Sequence, residues 1–126
     1  MIFGIGTDLV EYARIEKVFA QYGERFAERI LSKAELEQFK SHQNQARFLA
    51  KRFAAKEAFA KAVGTGIRGP VSLQRITITN DELGKPGFSW DERLHQHLTQ
   101  LGVKHHHLSI SDERDMIVAF VVLEGS

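Results

Sequence analysis

The chain has no cysteine, only two prolines and a single tryptophan among its 126 residues. Without thiols it has no disulfide scaffold, no thiolate nucleophile and no cysteine-ligated zinc, a pattern that fits a reducing, cytoplasmic setting. Net charge is also scarce. Seventeen Lys and Arg face sixteen Asp and Glu, a formal +1, so no bulk field argues for nucleic acid or a membrane, and an electrostatic partner must be recruited by a local patch. Long apolar runs are missing as well. The longest, "MIVAFVVL" at 116–123, falls far short of the roughly 20 residues a spanning helix needs and reads as a buried strand. The N-terminal "MIFGIGTDLV" has no basic lead-in and no long apolar core, so it does not read as a signal peptide.

What is present, 43% hydrophobic and 26% charged residues, is the composition of one globular domain spanning 1–126. "IFGIGT" at 2–7 suggests a strand with close backbone approach on one side. Ile15, Val18, Phe19 and Tyr22 recur at helical spacing, with Gly23 where a left-handed cap is wanted. Ser32 and Glu35 form the pattern of a capping box, opening a second helix with Leu36 and Phe39 inward. A third and longest helix covers "FLAKRFAAKEAFAKAV" and is capped by Gly64. The period then falls to two. Val71, Leu73, Ile76 and Ile78 alternate with a phase slip that predicts a bulge or bend near Gln74. A turn at "NDELGKPGF", a short strand at Phe88, a helix on Leu94, Leu98 and Leu101 ended by Gly102, and a terminal hairpin turning at Asp112 to Asp115 complete the pattern. The implied class is α+β, an antiparallel sheet packed against helices.

The charges of the third helix carry the functional question. At about 100° per residue, Phe48, Ala55, Phe59 and Ala62 share a core face. Glu57 and Lys61 lie nearly opposite, in a stripe otherwise made of Ala50 and Ala54, where something large could approach the backbone. A plain Glu-to-Lys surface pair is the simpler reading of the two charges. Arg52 and Lys56 fall inside the apolar arc, so they either snorkel outward or meet a polar ligand or a second subunit. Asp8, directly after the glycine-spaced strand, either caps the next helix or joins a second carboxylate around a hard cation such as Mg²⁺. "GIGTDL" lacks the third glycine of a dinucleotide fingerprint.

Taken together, "GIGTDLVEYARIEKV", "FLAKRFAAKEAFAKAVGTGI", "NDELGKPGF" and "LSISDERDMIVAFVV" resemble the holo-[acyl carrier protein] synthase family of the 4'-phosphopantetheinyl transferases, in this order and over nearly the whole chain. The resemblance implies that family's α+β fold, a homotrimer with sites between subunits, and Mg²⁺-dependent transfer of 4'-phosphopantetheine from coenzyme A to a serine of apo acyl carrier protein. It implies Asp8 and Glu57 as Mg²⁺ ligands, with Lys61 completing the catalytic set by stabilising or protonating the leaving adenosine 3',5'-bisphosphate. Glu57 is the candidate acceptor of the serine proton, directly or through a water. Coenzyme A contacts are implied for Arg52, Lys61, Gly64, Thr65, Lys85, Pro86 and His107, although Gly64 reads equally well as a plain helix cap. "HHH" at 105–107 puts His105 and His107 on one strand face, where a metal would need a third ligand. Many relatives carry a His where this chain has Asp112. Arg14, Lys17, Gln21 and Arg25 edge the first helix as a candidate docking stripe for an acidic carrier protein, with Gly23 able to displace Arg25. The rival is a non-catalytic basic-helix or nucleic-acid module, disfavoured because no aromatics interleave with the basic residues.

Overall fold

The computed structural model describes residues 1–126. A first strand, β1 (Ile2–Glu11), is followed by four helices, α1 (Tyr12–Tyr22), α2 (Glu24–Ile30), α3 (Lys33–Lys40) and α4 (Gln45–Val63). A single 3-10 turn at Leu73–Arg75 leads into β2 (Ile76–Asn80) and β3 (Pro86–Trp90), then α5 (Glu92–Leu101), β4 (His105–Asp112) and β5 (Met116–Glu124). Two antiparallel sheets result, one ordered β1-β5-β4 and one made of β2 and β3. The α+β expectation is met. The bend expected near Gln74 is the 3-10 turn, which sets the phase of β2 apart from Val71.

The local signals explain most boundaries. Ser32 accepts from the Glu35 amide at 3.4 Å while the Glu35 carboxylate accepts from the Ser32 amide at 2.9 Å, so the capping box is complete. Gly64 and Gly102 end α4 and α5 in the left-handed region. Gly23 also has positive φ, but its ψ of −137° lies outside that region, because the chain turns at once into another helix. That helix, α2, is absent from the sequence reading, so the long helix is the fourth and not the third. Seven residues give only two turns, too few for a helical period to stand out.

Helix α4 is the centre of the molecule, buried on nearly every side and packed on β1 and β5. Ala50 and Ala54 are fully buried, so the small-residue stripe is filled by the protein itself and not by an incoming molecule. The tightest contact is with β1. A Cβ on Gly4 would stand 2.0 Å from the Ala62 carbonyl oxygen, and one on Gly6 would stand 1.9 Å from that of Ala58. Gly4, Gly6, Asp8 and Val10 thus form the inner face of β1. Strand β5 alternates too, with Ile117, Ala119, Val121 and Leu123 inward and Phe120 44% exposed on the outer face, so the terminal apolar run is buried on one side only.

Lys56 neither snorkels nor meets a ligand. Its ammonium is fully buried and donates to Glu35 Oε1 at 2.5 Å and to the carbonyls of Ile30 at 2.7 Å and Leu73 at 2.9 Å. Glu35 in turn accepts from the Ile78 amide at 2.8 Å. Burial pulls the Lys56 ammonium down to about 8 against the opposing charge and hydrogen bond of Glu35, and the pair joins α3, α4, the 3-10 turn and β2. All three ammonium protons are used, which is what makes a buried charge tolerable.

Two outcomes are expected in denaturant titrations. Gly6→Ala should lower stability by about 3 kcal/mol or prevent folding, because backbone and not a flexible side chain fills the space. Lys56→Met should cost about 3–5 kcal/mol by stranding Glu35, and adding Glu35→Gln should cost clearly less than the sum of the single changes. Additive losses would show that the two groups act independently.

Candidate active site

The close approach of β1 to α4 decides which polar groups meet. Asp8 follows Gly6 on the inner face of β1, paired in register with Ala119 of β5. Glu57 and Lys61 each precede one of the two alanines, Ala58 and Ala62, against which the glycines pack. Lys61 Nζ donates to Asp8 Oδ1 at 3.1 Å and to the Thr7 carbonyl at 3.0 Å, with half of its side chain left in solvent. Asp8 therefore lies within the strand and does not cap α1, whose N-cap is Glu11 without a side-chain bond.

Asp8 and Glu57 line one cleft of about 390 Å³, together with Glu11, Arg14, Val18, Phe26 and Phe53. Burial raises the Glu57 carboxyl above the ordinary range, the Asp8 charge raises it further, and Lys61 opposes both. A carboxyl held up by a neighbouring carboxylate is the electrostatic condition that a bound cation relieves. Glu11 lines the same cleft, but no group of three or more His, Cys, Asp or Glu side chains is placed to hold a metal ion. Two carboxylates on a solvent-open cleft fit Mg²⁺, which takes one or two protein ligands and completes its octahedron with water and phosphate oxygens. They do not fit a structural zinc site, which needs four protein ligands.

The other residues singled out in the sequence are distributed around this cleft and away from it. Arg52 lies with its guanidinium 3.6 Å from the centre of the Phe48 ring and its Nε 3.5 Å from Glu35 Oε2. It also borders a small pocket of about 130 Å³ with Lys51, Asn80, Gly84, Pro86 and Asp112. Burial lowers the Arg52 guanidinium while Glu35 opposes. Lys85 sits in the exposed turn closed by the Gly84 amide on the Asp81 carbonyl at 2.9 Å. Gly64 and Thr65 lie exposed where α4 ends. His107 is on the outer face of β4, its Nε2 2.6 Å from Glu124 Oε1, and is not brought to Asp8 within one chain. The His107 bond holds the Glu124 carboxyl below its ordinary range.

Arg14 lines the Asp8–Glu57 cleft, and Lys17 and Gln21 continue along the exposed side of α1. Arg25, on α2 beyond Gly23, borders a neighbouring groove of about 590 Å³ with Tyr22, Phe26, Arg29, Ile30 and Phe53. Phe26, Arg29 and Phe53 were missed as site candidates. Phe53 carried a usable signal, since it falls off the core face marked by Phe48, Ala55 and Phe59. Phe26 and Arg29 belong to the unread helix.

Comparison with known proteins identifies the family. Residues 4–121 match the family model described as the 4'-phosphopantetheinyl transferase superfamily. A holo-[acyl-carrier-protein] synthase of Laribacter hongkongensis is 59% identical over 125 residues, covering 99% of this chain and 100% of that protein. The crystal structure of the Neisseria meningitidis synthase superposes with a TM-score of 0.96 at 52% identity, covering 98% of this chain and 99% of that one. A Bacillus anthracis synthase solved in complex with CoA (3',5'-ADP) gives 0.83 at 42% identity, covering 100% and 99%. With its glycine-paired strand and helix carrying the motif residues over matched full lengths, the chain belongs to the holo-[acyl-carrier-protein] synthase family of the 4'-phosphopantetheinyl transferase superfamily.

Proposed function

We propose that the protein transfers 4'-phosphopantetheine from coenzyme A to the serine hydroxyl of an apo acyl carrier protein in the cytoplasm, serving fatty acid biosynthesis. The single observation that carries this reading is the shared cleft of Asp8 and Glu57, with Lys61 one helical turn beyond Glu57. The relative from Bacillus anthracis, crystallised with CoA (3',5'-ADP), supports coenzyme A as the donor.

The transferred phosphorus already carries negative charge, so charge neutralisation and alignment dominate the chemistry. Asp8 and Glu57 would hold Mg²⁺, which supplies positive charge at the donor's diphosphate and orients it for in-line attack. Glu57, with its raised carboxyl, takes the serine proton as the new oxygen–phosphorus bond forms. The bond to the departing 5'-phosphate breaks, and Lys61 moves from Asp8 to that oxygen to neutralise or protonate it. Arg52, Lys85 and Pro86 would hold the nucleotide end of the donor, and Gly64 and Thr65 would admit its backbone-hugging phosphates or pantetheine arm. Arg52 and Lys61 are nine residues apart on α4, about 13 Å along the axis, so the ligand bridging them must be extended, as coenzyme A is.

The acceptor side is assigned to Arg14, Lys17, Gln21 and Arg25, a basic and polar edge suited to an acidic carrier and bordered by the groove at Phe26 and Phe53. Homotrimeric assembly is supported by the outer face of the larger sheet, where Phe120, paired with Thr7, stands exposed diagonally between Ile5 and Leu9 of the adjacent strand. Such a face is covered in an oligomer. His107 stands on the same outer face, opposite Val122, and would be covered with it.

Incubation with coenzyme A, Mg²⁺ and an apo carrier protein should add the mass of phosphopantetheine to the carrier. Asp8→Asn and Glu57→Gln should each lower kcat/KM by about 100-fold or more while the fold is retained. No mass gain, together with salt-sensitive nucleic-acid binding, would favour a binding module instead. Arg14→Glu should raise KM for the carrier about tenfold and leave that for coenzyme A nearly unchanged, as measured by varying each substrate in turn.

A further inference from the structure

Arg47, in the first turn of α4, joins three elements that the motifs leave unconnected. Its Nη1 donates to the Asp112 carboxylate and to the Glu113 carbonyl at 3.0 Å, and its Nη2 donates to the Arg114 carbonyl at 2.9 Å. The same guanidinium lies over the Tyr12 ring, 4.2 Å from its centre. Tyr12 is the first residue of α1. Its amide donates to the Asp115 carbonyl at 2.9 Å, and its hydroxyl lies 3.3 Å from both Glu16 and Asn44, the N-cap of α4.

Each leg of this clamp ends beside one of the two substrate regions. The hairpin tip carries Asp112, which borders the small pocket with Lys51, Arg52, Asn80 and Pro86, and Lys51 sits 3.9 Å from the Asp112 carboxylate. The Tyr12 leg fixes the start of α1, the helix that carries Arg14 into the Asp8–Glu57 cleft. A guanidinium can do this and an ammonium cannot, since its planar fork donates in several fixed directions while its face stacks on an aromatic ring.

We propose that Arg47 is a positioning residue shared by the two substrates: it holds the hairpin tip against the donor's pocket and the start of α1 against the acceptor's cleft. This rests on the transferase reading above. Arg47 touches neither substrate and acts through Asp112 and Tyr12.

Steady-state kinetics of the full chain, with coenzyme A and apo carrier protein varied separately, test it alongside melting temperatures. Arg47→Met should raise KM for both substrates about fivefold or more with kcat within about twofold. Tyr12→Leu cuts only the α1 leg and should raise KM for the carrier alone. Arg47→Lys should fall between wild type and Arg47→Met on both. A purely structural role predicts no such split, and the inference is overturned if Tyr12→Leu moves both KM values alike in step with lost stability. It is equally overturned if Arg47→Met leaves both unchanged. A wild-type protein that modifies no carrier would overturn the transferase reading itself, which is a separate result.

Discussion

The contact between β1 and α4 governs which polar groups meet in the candidate site. Strand and helix meet without side chains between them, since Gly4 and Gly6 face the carbonyls of Ala62 and Ala58 with no room for a Cβ. Two residues further along the same strand face, the first side chain able to project is Asp8. The helix positions adjoining the two alanines are Glu57 and Lys61. Bringing the acids together therefore needs no loop or flexible arm. It follows from one strand lying flush on one helix, with both acids on regular elements that hold their directions.

The buried Glu35–Lys56 pair adds a second restraint on the rotation of α4 about its own axis. Lys56 and Glu57 are neighbours in sequence and about 100° apart around the helix. The first is tied at three points inside the core, and the second opens into the cleft. Turning the helix enough to misdirect Glu57 would pull a buried ammonium from its acceptors, which costs several kcal/mol. Of these two neighbours in the motif, Lys56 anchors the helix and Glu57 is left free for the role proposed for it.

Much of this could be read from the sequence where the signal is local. The capping box at Ser32 and Glu35, the caps at Gly64 and Gly102, the bend at Gln74 and the final hairpin all appear where nearest-neighbour physics puts them. The glycines of "GIGT" announced a close approach but not what approached. Features that depend on distant partners stayed hidden. Lys56 falls in the apolar arc without visible reason because its acid lies 21 residues away, and nothing local marks Arg47, whose hydrogen-bond partners lie 65 to 67 residues away. Strand β5 read as wholly buried because a run of Val, Ile and Phe looks the same whether one face or two are covered. Pairing Asp8 with Glu57 came from resemblance, as no periodicity links a strand residue to a helix residue so far along the chain.

The enclosure of α4 has a bearing on motion. Sheet, α1 and the smaller elements pack against it, so the backbone amides of its buried turns are shielded from water until the core around them opens, while its edge at Lys61 stays in solvent. Hydrogen exchange along its middle turns should report global unfolding, with Glu57 seated on the slowest-breathing segment of the molecule. In the proposed reaction a long, jointed donor would meet the periphery instead, at the exposed stretch after Gly64 and at the Asp81–Lys85 turn, whose own hydrogen bonds hold it independently of the acids.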